Sequence, residues 1–322
     1  MAHPADNRSP PPVWPAYRAL LADGELKRRV AHAYGRLERC DLCARYCRVN
    51  RRETLEGVVC RTGERAVVHS YGPHHGEEDP LRGWGGSGTI FFGFCNLRCD
   101  YCQNWSISQK GEGQEVTPET LARLMLDLQR QGCHNINLVS PSHVVPQILA
   151  ATLLAAHRGL RLPLVYNSGG YDSPEALALL DGVVDIYLPD MKYGDSETAR
   201  RYSHARNYWE VSRAAVREMH RQVGDLVLDE RGFARRGLLV RHLVLPGDLA
   251  NTDRVLAFLA REISTDTYLN LMDQYRPCFR AFERPPLHRW LDPAEYERAL
   301  RAAERHGLQR LDSRPRPRLH EY

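Results

Sequence analysis

The chain has 322 residues, of which 43% are apolar and 26% charged, and its formal net charge is +4. These are ordinary globular proportions, which allow a sizeable core and exclude a fibrous or wholly disordered chain. So small a charge makes no electrostatic case for nucleic acid, and no stretch reaches the roughly 18–20 apolar residues of a membrane span.

The opening stretch MAHPADNRSPPPVWP is polar and proline-rich, without the apolar run of a secretion signal. Residues 1–15 are expected to be a disordered tail, and the protein to be soluble and cytoplasmic with no membrane contact. Nine cysteines are an odd count, and seven of them fall in two tight groups. That argues against a disulfide framework and for metal ligation in a reducing compartment.

PAYRALLADGELKRRVAHAYGRL reads as one or two helices. RCDLCARYCRVNRRETLEGVVC, which follows, has too few apolar residues to fold by burial but carries four cysteines. The spacing Cys40-x2-Cys43-x3-Cys47-x12-Cys60 is a complete ligand set, and a segment of this kind needs a metal as its core. Zinc would serve it structurally, and an iron–sulfur cluster would serve electron transfer. Residues 16–85 are therefore expected to form a helical, four-cysteine metal-binding module. Arg39, Arg45, Arg48, Arg51, Arg52, Arg61 and Arg65 keep a zinc-stabilised nucleic-acid-binding module open as an alternative. HHGEEDP (74–80) reads as a solvated loop, and GWGGSG (83–88) as a flexible approach to the next strand.

From residue 89 short apolar runs alternate with helical patterns. The strand candidates are TIFFGF (89–94), NINLVS (135–140), PLVYNS (163–168), VDIYLP (184–189), GLLVRHLVLP (237–246) and TYLNLM (267–272). Helical patterns lie near 118–131, 144–158, 174–181, 197–222 and 251–263. The alternation predicts βαβ units and a parallel sheet, either doubly wound or a barrel. The end, SRPRPRLHEY, is expected to be flexible, which gives a tail over 311–322. In such folds ligands bind at the carboxyl ends of the strands, so Cys95, Ser140, Asn167, Asp190, Pro246 and Gln274 should converge.

Cys95-x3-Cys99-x2-Cys102 occupies the loop after the first of these strands. A structural zinc site would want a fourth ligand, which a distant His134 or Cys133 would have to supply. A cubane cluster held by three thiolates instead leaves one iron open to a small molecule. Two further readings stay open: an iron–sulfur electron carrier or redox sensor with both groups closed, and the zinc-stabilised module above.

CxxxCxxC with Tyr101 before the last cysteine resembles the radical S-adenosylmethionine (SAM) superfamily. GSGTIFFGFCNLRCDYCQNWSIS, INLVSPSHVVP, LVYNSGGYDS, VDIYLPDMKY, LLVRHLVLPG and YLNLMDQYRP together resemble the subgroup related to pyruvate formate-lyase activating enzymes. That resemblance implies a partial (β/α)6 TIM-like barrel over residues 86–310, and an oxidoreductase-type enzyme. Cys95, Cys99 and Cys102 would then ligate a [4Fe-4S] cluster whose fourth iron chelates the amino and carboxylate groups of SAM. A reduced flavodoxin or ferredoxin would supply the electron. The products would be methionine and a 5′-deoxyadenosyl radical that abstracts hydrogen from a glycyl-radical-type enzyme, another protein or peptide, or a small molecule.

The resemblance also implies cofactor contacts. Where activating enzymes carry a Gly-Gly-Glu-type motif, this chain has Ser140-Pro141-Ser142-His143, whose hydroxyls and imidazole are neutral acceptors for an amine. Ser142 also reads as a helix N-cap. Asp190 and Lys192 match an Asp-x-Lys after the fourth strand, where the lysine would pair with the SAM carboxylate. Asn167, His242 and Gln274 are further pocket candidates, each weighed against an ordinary buried polar group. Cys133 and Cys278 read as small buried hydrophobes. The ferredoxin-like insert of many activating enzymes is absent after Cys102.

Overall fold

The structure, a computed structural model, describes residues 14–312; the two tails expected over 1–15 and 311–322 thus fall almost wholly outside the described residues. Helices α1 (Tyr17–Ala22) and α2 (Glu25–Gly35) open the chain, turning at Gly24, whose φ of 74° suits glycine. α2 buries Leu26 and Ala33. Residues 40–62 then run without helix or strand. Their ends are tied by the buried Arg51, whose Nε and Nη2 donate to the carbonyls of Thr62 (2.7 Å) and Gly63 (3.1 Å).

Nine strands form one sheet: β1 (Ala66–His74), β2 (Ser87–Phe92), β3 (Gln114–Val116), β4 (Ile136–Val139), β5 (Leu164–Ser168), β6 (Ile186–Pro189), β7 (Val227–Leu228), β8 (Ala234–Leu243) and β9 (Tyr268–Met272). Six of them run parallel in the order β2-β4-β5-β6-β8-β9, and these are the six expected from the apolar runs. β2 is paired instead with the antiparallel β1, and the barrel remains partial. The short β3 and β7 add antiparallel to β1 and β8. Charged and glycine-rich stretches hid β1, β3 and β7 from the pattern; what makes them strands is pairing with a neighbour.

α3 (Asp79–Arg82) precedes β2, and α4 (Pro118–Arg130), α5 (Val145–His157), α6 (Pro174–Leu180), α7 (Ser196–Ser203), α8 (Tyr208–Val223), α9 (Thr252–Phe258) and α10 (Pro293–Arg305) follow along the chain. Side-chain caps start several of them: Thr117 accepts from Thr120 N, Ser173 from Ala176 N, Asp195 from Thr198 N, and Asp292 forms a capping box with Glu295. The helical pattern over 197–222 breaks in two because His204 and Asn207 both take left-handed backbone, with φ of 52° and 51°. Helix α5 is buried along most of its length, which explains its apolar composition.

The main core lies between the sheet and these helices, with a separate group of Val165, Ile186, Leu188, Leu226 and Leu239 around Leu81 inside the curve of the sheet. At the ends of the described chain, the Trp14 indole donates to Arg235 O at 3.0 Å, and Asp312 N donates to Leu269 O at 2.9 Å. No helix among the described residues is long and apolar enough to cross a membrane.

Candidate active site

The strand β2 runs into Gly93 and Phe94, and the chain then turns into the three cysteines. Phe94 has a φ of 64°, and its N–H donates to Ile107 O at 2.9 Å. Gly93 admits no side chain, since a Cβ there would stand 2.6 Å from Val67 Cγ1. The loop is then fastened by backbone bonds from Asp100 N to Tyr202 O (2.7 Å) and from Arg280 N to Asp100 O (2.9 Å). Asn96 Nδ2 donates to Tyr171 O at 2.7 Å. Tyr101 is buried edge-on to Tyr193 and tilted against Tyr275. So the loop is rigid at both ends for reasons that lie in the fold.

Cys95, Cys99 and Cys102 line one cavity of about 370 Å³. Ser140, Asn167, Asp190, Lys192 and Gln274 share its wall, so five of the eight expected cofactor contacts are brought together with the cysteines. Ser203 Oγ donates to Cys99 Sγ at 3.0 Å, and Ser108 Oγ lies 3.1 Å from Cys102 Sγ. Enclosure pushes the Cys95 thiol up to about 12, with the Cys99 sulfur adding to it. Cys99 is pushed to about 11 by burial, partly offset by the Lys192 charge. Without a metal these sulfurs stay protonated; a metal ion displaces the proton because the thiolate is the ligand.

Lys192 Nζ donates to Asp190 Oδ2 at 2.6 Å. Burial works to lower the lysine pKa, but the Asp190 carboxylate outweighs it and holds the ammonium charged. Lys192 N donates to the Tyr208 hydroxyl at 2.9 Å, and that hydroxyl in turn reaches the carbonyls of Gly169 and Asp190. Gly170, with φ at 70°, is required here because a Cβ would meet Asp190 O at 2.3 Å.

Three expected contacts are not at this cavity. Ser142 and His143 are buried behind Ser140. Ser140 takes left-handed backbone, φ 59°, and turns the chain away from the wall. His143 Nε2 lies 3.1 Å from Gly93 O, and burial holds its pKa down to about 3, so it is neutral. Ser142 does not cap α5, which starts at Val145 without a side-chain cap. His242 is fully buried between Met191 O (2.6 Å) and Thr252 Oγ1 (3.0 Å), with its pKa lowered to about 4 by burial. It is an ordinary buried imidazole with both ring nitrogens partnered. His134, one of the two residues a structural zinc site would have needed as its distant ligand, accepts from Gly85 N at 3.0 Å and packs between Trp84 and Phe233.

The second cysteine group is Cys40, Cys43, Cys47 and Cys60, three of them buried. The sulfurs are near enough to raise one another: Cys43 is pushed up by burial first, then by Cys60, Cys40 and Cys47. Arg51 Nη1 stands 3.5 Å from Cys40 Sγ. Among the described residues no group of three or more His, Cys, Asp or Glu side chains is gathered as a ready-made site for one ion.

The reading of HHGEEDP as a solvated loop needs correction. Glu77 is 5% exposed and Glu78 0%. Arg241 of β8 donates to Glu78 Oε1 and Oε2 at 2.6 and 2.7 Å and pairs with Glu77, while Asn270 of β9 donates to Glu78 Oε1 at 2.5 Å. His74 packs its ring against Phe91 of β2. Residues 74–82 therefore lie across the gap between the first and last parallel strands, and His74, Glu77, Arg241 and Asn270 form part of the cavity wall. One signal did exist: an arginine inside the apolar run GLLVRHLVLP had to find buried anions.

Known proteins resemble this chain. A sequence profile described as the Radical SAM superfamily matches residues 89–230. An uncharacterised protein of Methanocaldococcus jannaschii, MJ0674, is 33% identical over 277 residues, covering 84% of this chain and 75% of its own. A second from the same organism, MJ0808, is 25% identical over 271 residues, covering 77% and 73%. A solved structure of TYW1 with a lysine–pyruvate adduct bound aligns over 67% of this chain and 73% of its own. Its identity is 12% and its TM-score 0.42, too distant to bear on the chemistry here.

Proposed function

Because this chain belongs to the radical SAM superfamily, whose enzymes cleave SAM at an iron–sulfur cluster, we propose that Cys95, Cys99 and Cys102 are the ligands of its [4Fe-4S] cluster. The observation that carries this reading is the shared cavity, where three cysteine sulfurs and an Asp190–Lys192 ion pair face the same space. The donor set fits the group: three soft sulfurs from one loop suit iron, and a cation beside an anion suits the zwitterionic end of SAM. When bound, the cluster supplies the electron that splits SAM into methionine and a 5′-deoxyadenosyl radical, which takes hydrogen from the substrate.

The chain's own residues bind, orient and exclude water. Lys192 offers its ammonium to the SAM carboxylate, and Asp190 keeps that ammonium charged and aimed. Asn167, Ser140 and Gln274 offer amide and hydroxyl groups along the rest of the wall. Tyr101, Tyr193 and Tyr275 keep the underside of the cysteine loop dry. Ser203 donates to Cys99 and so stabilises it as a thiolate.

Cys40, Cys43, Cys47 and Cys60 are assigned to a second metal. What supports it is Arg51, a buried cation beside Cys40 that needs anionic sulfur for company. Zinc and an iron–sulfur cluster both meet that need. A glycyl-radical-type activase acting on a protein or peptide in the cytoplasm is the specific role we favour, on the sequence blocks quoted above.

The test is anaerobic reconstitution with iron and sulfide, then dithionite and SAM. Brown protein that releases 5′-deoxyadenosine is expected, with Cys99→Ala giving none. Undiminished release by that variant would overturn the assignment.

A further inference from the structure

Two charged groups share the wall of the cavity. One is the Asp190–Lys192 pair, assigned above to SAM. The other, His74, Glu77 and Arg241, has no part in that assignment. Three lengths of chain bring it together: His74 ends β1, Glu77 lies in the segment across the gap, and Arg241 comes from β8.

One carboxylate joins the group. Glu77 Oε1 stands 3.3 Å from His74 Nδ1, and Glu77 Oε2 takes Arg241 Nη2. A carboxylate only accepts, so each partner turns an N–H toward it and has a further nitrogen to offer elsewhere. Arg241 commits Nε and Nη2 to Glu77 and Glu78. Among the described residues its Nη1 has no hydrogen-bond partner, and protein does not close it off from the cavity. His74 Nε2 likewise has no partner among the described residues, and its side chain is 45% exposed. The imidazole is set edge-on to Phe91, with 6.1 Å between centroids, which steadies its plane.

Charge decides what these two nitrogens suit. Glu77 and Glu78 on the 74–82 segment and Arg241 on β8 are the charged groups that face His74. The Glu77 carboxylate raises the His74 pKa, against burial and the Arg241 charge. Burial works to raise the Glu77 pKa, but the Arg241 and His74 charges outweigh it and hold it at about 2. Arg241 is thus answered by two carboxylates and His74 by one of them, so neither brings an unmatched positive charge to the cavity. A second anion placed there would lose its water without gaining a cation of its own, which is costly. An uncharged acceptor carries no such penalty, and a carbonyl oxygen has two lone pairs, one for each donor.

We propose that His74 Nε2 and Arg241 Nη1 together bind an uncharged carbonyl oxygen of the substrate. The inference rests on the protein or peptide substrate favoured above, whose backbone amides supply such an oxygen, and adds the residues that meet it. The carbon next to that carbonyl is thereby held in the chamber that the three cysteines line. Both side chains position the substrate, and no bond forms or breaks at either.

The test is an NMR titration of the reconstituted full chain, labelled at histidine Cε1, with two probes of one size. N-acetylglycinamide is uncharged, and N-acetylglycine is an anion. Wild type should bind the amide about fivefold more tightly than the acid, the worth of one net hydrogen bond. The His74 signal, identified by its loss in His74→Gln, should move with the amide. His74→Phe should weaken amide binding about fivefold, and His74→Gln, whose side chain also donates, should restore it. Wild-type affinity should fall as pH rises through the raised His74 pKa, because Nε2 then loses the hydrogen it donates. His74→Gln should lose that dependence. Arg241→Lys, which keeps a cation beside the glutamates but withdraws Nη1, should also bind the amide more weakly; were it not to fold, the His74 variants decide alone. Preference for the acid would overturn the proposal in favour of an anion site. Equal amide binding by His74→Phe and wild type would overturn it too, as would no detectable binding of either probe to wild type. The titration needs no turnover, so a wild type that yields no 5′-deoxyadenosine with dithionite and SAM would sink the radical SAM reading separately.

Discussion

The two cysteine groups of this chain are built on opposite terms. The 95–102 loop is held by the fold: β2 delivers it, Tyr202 and Ser203 brace it from the end of α7, and Tyr101 anchors it among other aromatics. The 40–62 segment has no helix or strand and is held by turn bonds such as Arg48 N to Cys40 O (2.9 Å) and by side chains, among them the buried Arg51 to Thr62 O (2.7 Å). A scaffold of strands and helices shapes the first, whereas the metal proposed for the second would complete a segment built only of turns. Where the fold already fixes the loop, the metal proposed there is free to do chemistry.

The sharpest way to break that contrast is to remove each set in turn. Replacing Cys95, Cys99 and Cys102 together by Ala should abolish 5′-deoxyadenosine formation yet shift the melting temperature by only a few degrees. Cys40→Ala/Cys43→Ala should lose the second metal by elemental analysis and expose residues 40–62 to limited proteolysis. If the first variant unfolds or the second stays protease-resistant, the contrast is wrong.

The cavity wall offers the next effect. Glu78→Gln leaves Arg241 with one fewer buried anion, and breaking a buried pair costs about 3–5 kcal/mol. Denaturant unfolding should show a loss of that order. A loss below about 1 kcal/mol would mean that Glu77 alone satisfies the arginine.

Lys192→Met should raise the SAM dissociation constant about tenfold, or about 1.4 kcal/mol, with the fold unchanged. No change in SAM binding by titration would remove the ammonium from the proposed contact.

A last effect, small near neutral pH, is one of acid. His143 and His242 are buried neutral, with folded pKa near 3 and 4, whereas the unfolded chain takes up their protons near 6.5. Stability from each is therefore complete above about 6.5 and falls as pH drops toward those folded values, by at most about 1.4 kcal/mol per unit. His242→Gln should flatten that acid limb in pH-dependent melting; an unaltered slope would show that His242 is charged in the fold.

Much of this molecule was legible from its sequence. The six parallel strands announced themselves as apolar runs, and Cys95, Cys99, Cys102, Asp190 and Lys192 stood at strand ends where parallel folds gather ligands. What escaped was set by contacts distant in sequence. Ser142 and His143 look as available as Ser140, and only the left-handed turn at Ser140 hides them. Glu77 and Glu78 look like surface charge until Arg241, more than 160 positions away, is seen to bury them.

The segment 74–82 carries one more consequence. A barrel sealed by a hydrogen-bonded ladder must keep every strand in register, because a one-residue slip turns its side chains to the other face. Here the seam is closed by a length of chain and a few buried charges, which carry no register. The residues between His74 and Glu77 can change while the sheet stands still, so long as Glu77 and Glu78 still meet Arg241. The chamber's shape is thus a separable part, open to revision by evolution or by an engineer without rebuilding the machine around it.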